Sequence, residues 1–260
     1  MTDNPFDHDY REPEQADDTP TSAPSPAPRT SGITIHNDLI QGSDEWLAAR
    51  CGLLTASEMK LILTPTLKVA DNDKTRAHLY ELLAQRVTRY VEPHYISDDM
   101  LRGFDDEIAA REAYAKHFAP VTECGFITNN HWGFTIGYSP DGLVGDDGLI
   151  ECKSRRQKYQ AQTIIEWTES QTIPAEYVMQ CQTGLLVSGR KWIDLVSYCG
   201  GMPMIVMRVH PDDAVQEAII GAAIAFETKL AAKLSTYRSA SKVEPRMVPT
   251  ERKIEQEMFV

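Results

Sequence analysis

Between residues 122 and 154 the apolar residues of this chain change from a helical to a strand-like spacing. Gly, Asp and Asn turns separate the stretches, as is typical of short strands joined by tight connections. The predicted strands run from Thr122 to Thr128, Trp132 to Tyr138, Gly142 to Val144 and Leu149 to Ser154. A chain with strands at its centre and helices on both sides favours an α/β or α+β domain with a central sheet flanked by helices. Of the two, we predict the α/β class, with a central mixed β-sheet flanked by helices.

The flanking segments show helical periodicity with start and stop signals. Ser43 is placed to cap a helix over Asp44 to Arg50, and Thr55-Ala56-Ser57-Glu58 resembles a capping box that opens another. Further helices are predicted at 73–91, 102–117, 157–168, 174–187 and from 213 to about 235, with strands at 192–198 and 204–209.

Composition divides the chain into three parts. Residues 1–33 carry six prolines and few large apolar residues. Such a segment cannot bury enough apolar surface to offset the entropy cost of ordering, so we predict a disordered acidic tail. We expect the folded domain at 34–235 and a polar C-terminal tail at 236–260. Hydrophobic residues make up 42% of the chain, enough for a core.

Several classes of protein are disfavoured by simple counts. No apolar run reaches the roughly 18 residues of a membrane span, and the acidic N-terminus does not resemble a signal peptide. Five scattered cysteines without metal spacing fit a reducing cytoplasm. A net charge of −12 argues against a nucleic-acid partner, although carboxylates that hold cations would weaken that objection.

The stretch SPDGLVGDDGLIECKS, residues 139–154, predicts a β-hairpin with chemistry at its end. Alternate strand residues share a face, so Glu151 and Lys153 point the same way. The hairpin can bring Asp141 beside Glu151. Two carboxylates suit Mg²⁺, which takes one or two of them together with water and phosphate oxygens. The alternative is a solvated hairpin with an incidental Glu–Lys pair.

The pattern P-D-x9-E-x-K resembles the signature of the PD-(D/E)XK nuclease superfamily. More narrowly, the chain resembles the bacteriophage lambda exonuclease group, also described as YqaJ-type viral recombinases. Four segments carry the resemblance in order: QGSDEWLAARCGLLTASE (41–58), RGFDDEIAAREAYA (102–115), YSPDGLVGDDGLIECKS (138–154) and YVMQCQ (177–182).

The resemblance implies metal ligands and catalytic groups, residue by residue. Asp141 and Glu151 would bind metal with the backbone carbonyl of Cys152, and Lys153 would be the catalytic lysine. Glu107 matches a helical glutamate near the metals; the alternative is an ordinary solvated helix glutamate. Gln180 matches an active-site glutamine, whereas the role of Gln182 is left open.

The resemblance also implies a pocket for a terminal 5′-phosphate formed by Arg50, Ser57 and Ser139. Arginine suits bidentate phosphate binding, but Arg50 could instead be a helix-terminal charge and the serines could be caps. The basic run that contains Arg155 and Arg156 could follow a DNA backbone or be a solvated loop. Trp46, four residues before Arg50, is predicted to pack in the core.

The activity implied is Mg²⁺-dependent 5′-to-3′ exonuclease action on linear double-stranded DNA, with two ions and Mn²⁺ as a substitute. The products would be 5′-mononucleotides and a 3′ single-stranded tail for recombination. The implied partners are DNA ends, a single-strand annealing protein and two further copies in a ring-shaped homotrimer. The implied location is the cytoplasm of a bacterial host, for a protein encoded by a phage or prophage. The alternatives are a RecB-like or other nuclease of this fold, or a non-catalytic DNA-binding protein.

Overall fold

A computed structural model describes residues 32–93, 97–244 and 246–252. The helices are α1 (Asp44–Arg50), a short 3₁₀ helix (Ala56–Leu61), α2 (Asp73–Thr88), α3 (Asp98–His117), α4 (Gln157–Ser170), α5 (Ala175–Ser188) and α6 (Asp213–Val243). The strands are β1 (Ile33–His36), β2 (Leu54–Thr55), β3 (Phe126–Asn129), β4 (Ile136–Tyr138), β5 (Gly142–Val144), β6 (Gly148–Ser154), β7 (Trp192–Tyr198) and β8 (Ile205–Val209).

The strands form two four-stranded mixed sheets, in the orders β1-β3-β4-β2 and β5-β6-β7-β8. In the second sheet β6 pairs antiparallel with β5 and parallel with β7, while β8 closes the edge antiparallel to β7. Helices α4 and α5 form the crossover from β6 to β7, and α3 packs against β6 and β7. The predicted α/β class is confirmed, with two sheets in place of one.

Local sequence signals explain most of the element boundaries. Ser43 accepts a hydrogen bond from the Trp46 amide and caps α1, as predicted. Ser97 caps α3 in the same way, so this helix begins four residues before the predicted start. Helix α2 ends at Thr88 because Arg89 adopts a left-handed conformation with φ 55°.

Two predicted elements differ from the structure. The segment after Thr55 is a short 3₁₀ helix, because the Thr55 hydroxyl bonds to the Glu58 side chain rather than capping a backbone amide. Helix α6 continues to Val243, eight residues into the segment predicted as a C-terminal tail. The predicted tail at 1–33 falls mostly on residues 1–31, which lie outside the described residues.

The core lies where the two sheets and the helices meet. Its largest cluster joins α2, α5 and α6 to both sheets, and a smaller cluster lies between α3 and the second sheet. This packing fixes β6, which is paired on both sides, at the centre of the fold. Within the described part of the chain, no helix has the length and apolarity to cross a membrane.

Candidate active site

The β5–β6 hairpin sets two carboxylates side by side. Its turn, residues 145–147, begins at Gly145 with φ 52°, a conformation that favours glycine. The register pairs Gly142 with Ile150, and the Asp141 amide donates to the Ile150 carbonyl at 3.2 Å. Asp141 and Glu151 are therefore neighbours at the open end of the hairpin, as the sequence predicts.

Glu151 is nearly inaccessible to solvent, with 2% of the residue exposed, and it accepts three side-chain hydrogen bonds. Lys153 Nζ lies 2.7 Å and Gln180 Nε2 2.5 Å from Oε1. The buried Tyr138 hydroxyl donates to Oε2 at 2.8 Å. These bonds offset the cost of burying the carboxylate and bring three predicted residues together. Tyr138 was not predicted, because one tyrosine in an apolar strand carries no signal.

The acidic residues at this place repel one another. Burial, and then the charges of Glu151 and Glu107, raise the pKa of Asp141 well above its usual range. Burial alone would lower the pKa of Lys153, but Glu151 and Asp141 outweigh it and raise that pKa. The lysine is therefore held as an ammonium, while the carboxylates lack enough positive charge around them. A cation would remove this imbalance.

Helix α3 brings Glu107 close to the hairpin. Burial, with Glu151 as a further negative neighbour, raises the pKa of Glu107. The helix is tied to the second sheet, since Ser154 Oγ donates to Asp106 at 2.5 Å and Arg111 donates to the Asp141 carbonyl at 3.3 Å. The charges of Glu107, Asp141 and Glu151 therefore influence one another. This favours the predicted role of Glu107 near the metals over that of a solvated helix residue.

Gln182 lies away from this place. Its amide donates to the His210 carbonyl at 2.8 Å and accepts from the Asp212 amide at 2.9 Å. These bonds join α5 to the start of α6. The question that the sequence left open is thereby answered: Gln180 faces Glu151, and Gln182 faces the opposite direction along the same helix.

The donor set is compatible with a hard divalent cation. In residues 32–93, 97–244 and 246–252, no three His, Cys, Asp or Glu side chains converge as a ready metal cage. Mg²⁺ needs only one or two carboxylates when waters and phosphate oxygens complete its shell. Asp141 and Glu151, with Glu107 nearby, supply oxygen ligands and the excess negative charge that such an ion would neutralise.

The predicted phosphate pocket lies at the other end of the same cleft. The Arg50 guanidinium stacks on the Trp46 ring, 4.3 Å from its centre, and Arg50 Nη1 donates to Ser139 Oγ at 3.1 Å. The Trp46 indole also donates to Ser139 Oγ, at 3.0 Å. Trp46 was predicted to pack in the core, whereas the structure gives it a polar role in holding both pocket residues.

Ser57 and Thr55 form the opposite wall of this pocket. Ser57 is exposed at the start of the 3₁₀ helix, and its hydroxyl lies 3.3 Å from that of Thr55. Arg50 Nη2 also reaches the Thr55 hydroxyl, at 3.4 Å. Strand β2 holds Thr55 in place through its parallel pairing with β4, where Thr55 lies opposite Gly137. Sequence reasoning named Thr55 only as a helix cap.

A single cleft of about 190 Å³ joins the pocket to the carboxylates. Gln41, which sequence reasoning missed, also lines it and donates to the Pro140 carbonyl at 2.8 Å. The cleft is lined at one end by Arg50, Thr55, Ser57 and Ser139 and at the other by Tyr138, Asp141, Glu151 and Gln180. An anion held by Arg50 would thus lie beside the acidic residues.

The basic run after β6 is divided between two environments. The Arg155 side chain is largely buried and donates to Glu176 at 2.9 Å and to the Tyr177 hydroxyl at 2.6 Å. Arg156 is exposed and precedes the first residue of α4. Contact of either residue with DNA stays a prediction.

Comparison with known proteins agrees with this geometry. Residues 45–191 match the model of the YqaJ-like viral recombinase domain. An alkaline exonuclease (LHK-Exo) from Laribacter hongkongensis is 32% identical, with a TM-score of 0.66 over 77% of this chain and all of that one. The same enzyme in complex with dAMP gives 33% identity and a TM-score of 0.67 over the same shares.

A phage related exonuclease from Haemophilus somnus 129PT shares the fold at 13% identity, with a TM-score of 0.50 over 70% of this chain and 96% of that one. No curated protein sequence matches significantly. The family match spans more than half of the chain and contains Arg50, Glu107, Asp141, Glu151, Lys153 and Gln180. The chain belongs to the YqaJ-like viral recombinase family.

Proposed function

We propose that this protein is a Mg²⁺-dependent exonuclease that degrades one strand of linear double-stranded DNA from a 5′-phosphorylated end. The products are 5′-mononucleotides and a 3′ single-stranded tail suited to recombination by strand annealing. The observation that carries this proposal is the single cleft, which joins an Arg–Ser pocket to a cluster of buried carboxylates and a lysine. Similarity to alkaline exonuclease structures supports the same reaction class.

The shape of the cleft favours an exonuclease over an endonuclease. Arg50, Ser57 and Ser139 provide donors at one end, and a terminal phosphate carries more negative charge than an internal diester. An end held there presents the next phosphodiester bond to Asp141 and Glu151. Recognition of the end therefore sets both the direction of digestion and the release of short products.

The residues around Glu151 have separate tasks in this reaction. Lys153 offers an ammonium that offsets charge building on the phosphate and orients the attacking water. Gln180 and Tyr138 hold the Glu151 carboxylate in one orientation. Asp141, Glu151 and the Cys152 carbonyl would hold Mg²⁺, with Glu107 beside them, and two ions when bound stabilise the attacking and leaving oxygens. Mn²⁺ would substitute because it prefers the same oxygen ligands.

The test uses linear duplexes that differ only in a 5′-phosphate or a 5′-hydroxyl, incubated with Mg²⁺. We expect release of 5′-mononucleotides, faster from the phosphorylated end, and about 1,000-fold slower release with Lys153→Ala. No release by the unmodified protein would contradict the proposed enzyme and favour a DNA-binding role. Equal rates on both ends would contradict the pocket assignment, and cleavage of closed circles would identify an endonuclease.

The family resemblance extends the proposal to assembly and partners. A ring-shaped homotrimer around DNA would keep the enzyme on its substrate, and an annealing protein would receive the 3′ tail. Sedimentation at micromolar concentration tests the ring, and a monomer there contradicts it. Co-purification with a single-strand annealing protein tests the second partner.

A further inference from the structure

We propose that Thr55 is a positioning residue that sets the preference for a 5′-phosphate, with its hydroxyl held in one direction by Glu58. This inference rests on the proposed function and concerns the cationic end of the same cleft. Thr55 is 2% exposed, and its hydroxyl lies on the cleft wall between Arg50 and Ser57.

The hydrogen bonds of Thr55 follow from simple counting. A threonine hydroxyl has one proton to donate and two lone pairs that accept. Thr55 Oγ1 donates its proton to Glu58 Oε2 at 2.7 Å. A carboxylate can only accept, so this bond fixes the direction of the Thr55 hydroxyl, whose oxygen must then act as an acceptor for its other neighbours.

The two remaining neighbours therefore act as donors. Arg50 Nη2 donates to Thr55 Oγ1 at 3.4 Å. Ser57 Oγ, 3.3 Å away, must supply the proton in its contact with Thr55, because the Thr55 proton is already used. Thr55 thus fixes the Arg50 guanidinium at the edge of the cleft, where the remaining N–H groups of Arg50 can donate to an incoming anion, whereas the Ser57 proton is engaged with Thr55.

Ser139 shows the same directionality on the opposite wall. Its oxygen accepts from Arg50 Nη1 at 3.1 Å and from the Trp46 indole at 3.0 Å. The Trp46 N–H is shared with the Gly125 carbonyl, also at 3.0 Å. Because both neighbours of the Ser139 oxygen are donors, Ser139 can offer its own proton to a ligand. The donors that this arrangement leaves for a ligand are the remaining Arg50 N–H groups and the Ser139 proton, which favours a phosphate with several acceptor oxygens over a neutral hydroxyl.

Glu58 also acts on the charge of the pocket. Burial lowers the pKa of Arg50, and the negative charge of Glu58 opposes that change. Behind Glu58 lies the buried His78, whose Nε2 is 3.8 Å from Glu58 Oε2. Glu58 is not among the residues that line the cleft, so its carboxylate compensates the guanidinium from outside the lining.

The experiment measures the ratio of kcat/KM on 5′-phosphorylated and 5′-hydroxyl duplexes. Thr55→Val keeps the shape but removes the hydroxyl, so we expect the ratio to fall about ten-fold, the size of one charge-assisted hydrogen bond. Thr55→Ser retains the hydroxyl and should restore most of the ratio. Thr75→Val is the matched control, because that buried hydroxyl donates to the Leu61 carbonyl outside the cleft.

The role of Glu58 is tested by a double-mutant cycle. Glu58→Gln can donate as well as accept, so it releases the direction of Thr55 and should lower the ratio. If Glu58 acts through Thr55, Glu58→Gln lowers the ratio less in the Thr55→Val background than in the wild type, and only its direct charge effect on Arg50 remains there. Additive losses would overturn the relay from Glu58 to Thr55.

The outcomes separate this inference from the proposed function. If Thr55→Val lowers the rate on both ends equally, or if Thr55→Ser loses as much as Thr55→Val, Thr55 has only a structural role and the inference is overturned. A wild-type ratio near one would overturn the phosphate pocket itself and the inference with it. A strong wild-type ratio that survives Thr55→Val would overturn the inference alone.

Discussion

The acidic end of the cleft, Asp141 and Glu151 with Lys153, differs from the cationic end, Arg50, Ser57 and Ser139, in how the chain assembles it. The acidic end comes from one hairpin, whose register makes two carboxylates neighbours. The cationic end joins α1, the segment after β2 and the exit of β4, and its contacts span up to 93 positions of sequence. Local pairing is sufficient for the first, whereas the second requires the folded core.

The two ends also differ in electrostatic balance. Burial and neighbouring carboxylates raise the pKa of Asp141 well above its usual range, which signals missing positive charge. At the cationic end Arg50 is matched by the hydroxyls of Ser139 and Thr55 and by the nearby Glu58. We expect the acidic end to require an added cation for function, and the cationic end to be complete in the protein alone.

The largest effect should come from removing the ammonium at the acidic end. Lys153→Ala is expected to lower nucleotide release about 1,000-fold, the upper range for loss of one stabilising donor, and by the same factor on phosphorylated and hydroxyl ends. Lys191→Ala, which removes an exposed lysine paired with Asp147, is the control. A loss confined to phosphorylated ends would show that Lys153 acts together with the cationic end. The two ends of the cleft would then not have separate functions.

The next effect concerns the cation. Mg²⁺ at about 100 times its dissociation constant should stabilise the fold by about 2.7 kcal/mol, measured as a rise in melting temperature without DNA. Asp141→Asn should abolish that rise. Because the pKa of Asp141 is raised, the metal-free variant should be at least as stable as the wild type. An Mg²⁺-dependent rise that persists in Asp141→Asn would exclude Asp141 as a ligand.

A smaller and more selective effect is expected at the cationic end. Arg50→Lys keeps the charge but loses the planar fork that reaches Ser139 and Thr55 and stacks on Trp46. The preference for phosphorylated over hydroxyl ends should fall about ten-fold. Arg76→Lys, at an exposed pair with Asp73, should leave the preference unchanged. If Arg50→Lys slows both ends equally, the two ends of the cleft are not separable in function.

The two ends of the cleft differ in how far their residues could be predicted from the sequence. Glu151 and Lys153 follow from strand alternation, and Asp141 from the hairpin, because both rules act over a few residues. Family resemblance named Arg50, Ser57 and Ser139, whose meeting no local rule predicts. Resemblance and local pattern both missed the roles of Trp46 and Thr55, because these depend on the direction of single hydrogen bonds between distant segments.

The boundaries of the helices and strands were likewise predicted in some places and not in others. Boundaries set by caps, such as Ser43 before α1, were predicted correctly. Helix α6 runs beyond its predicted end to Val243, although its buried residues end at Leu230, so the added turns are largely exposed and are not explained by core packing. A short 3₁₀ helix follows Thr55 in place of the helix that the capping-box pattern predicts. The reason is that the Glu58 side chain accepts from the Thr55 hydroxyl and not from a backbone amide.

The smallest effect tests whether the acidic end is held rigid by its buried surroundings. Tyr138→Phe removes one hydrogen bond to Glu151 but keeps the ring that packs against Gly184. We expect a loss of about 1 kcal/mol in the free energy of unfolding, measured by urea denaturation. Nucleotide release should fall about five-fold on both kinds of end, since Gln180 and Lys153 still hold Oε1. Tyr80→Phe, at a tyrosine that is 49% exposed, should change neither quantity. An unchanged rate in Tyr138→Phe would show that Gln180 and Lys153 alone orient Glu151, and that the cleft needs no support from β4.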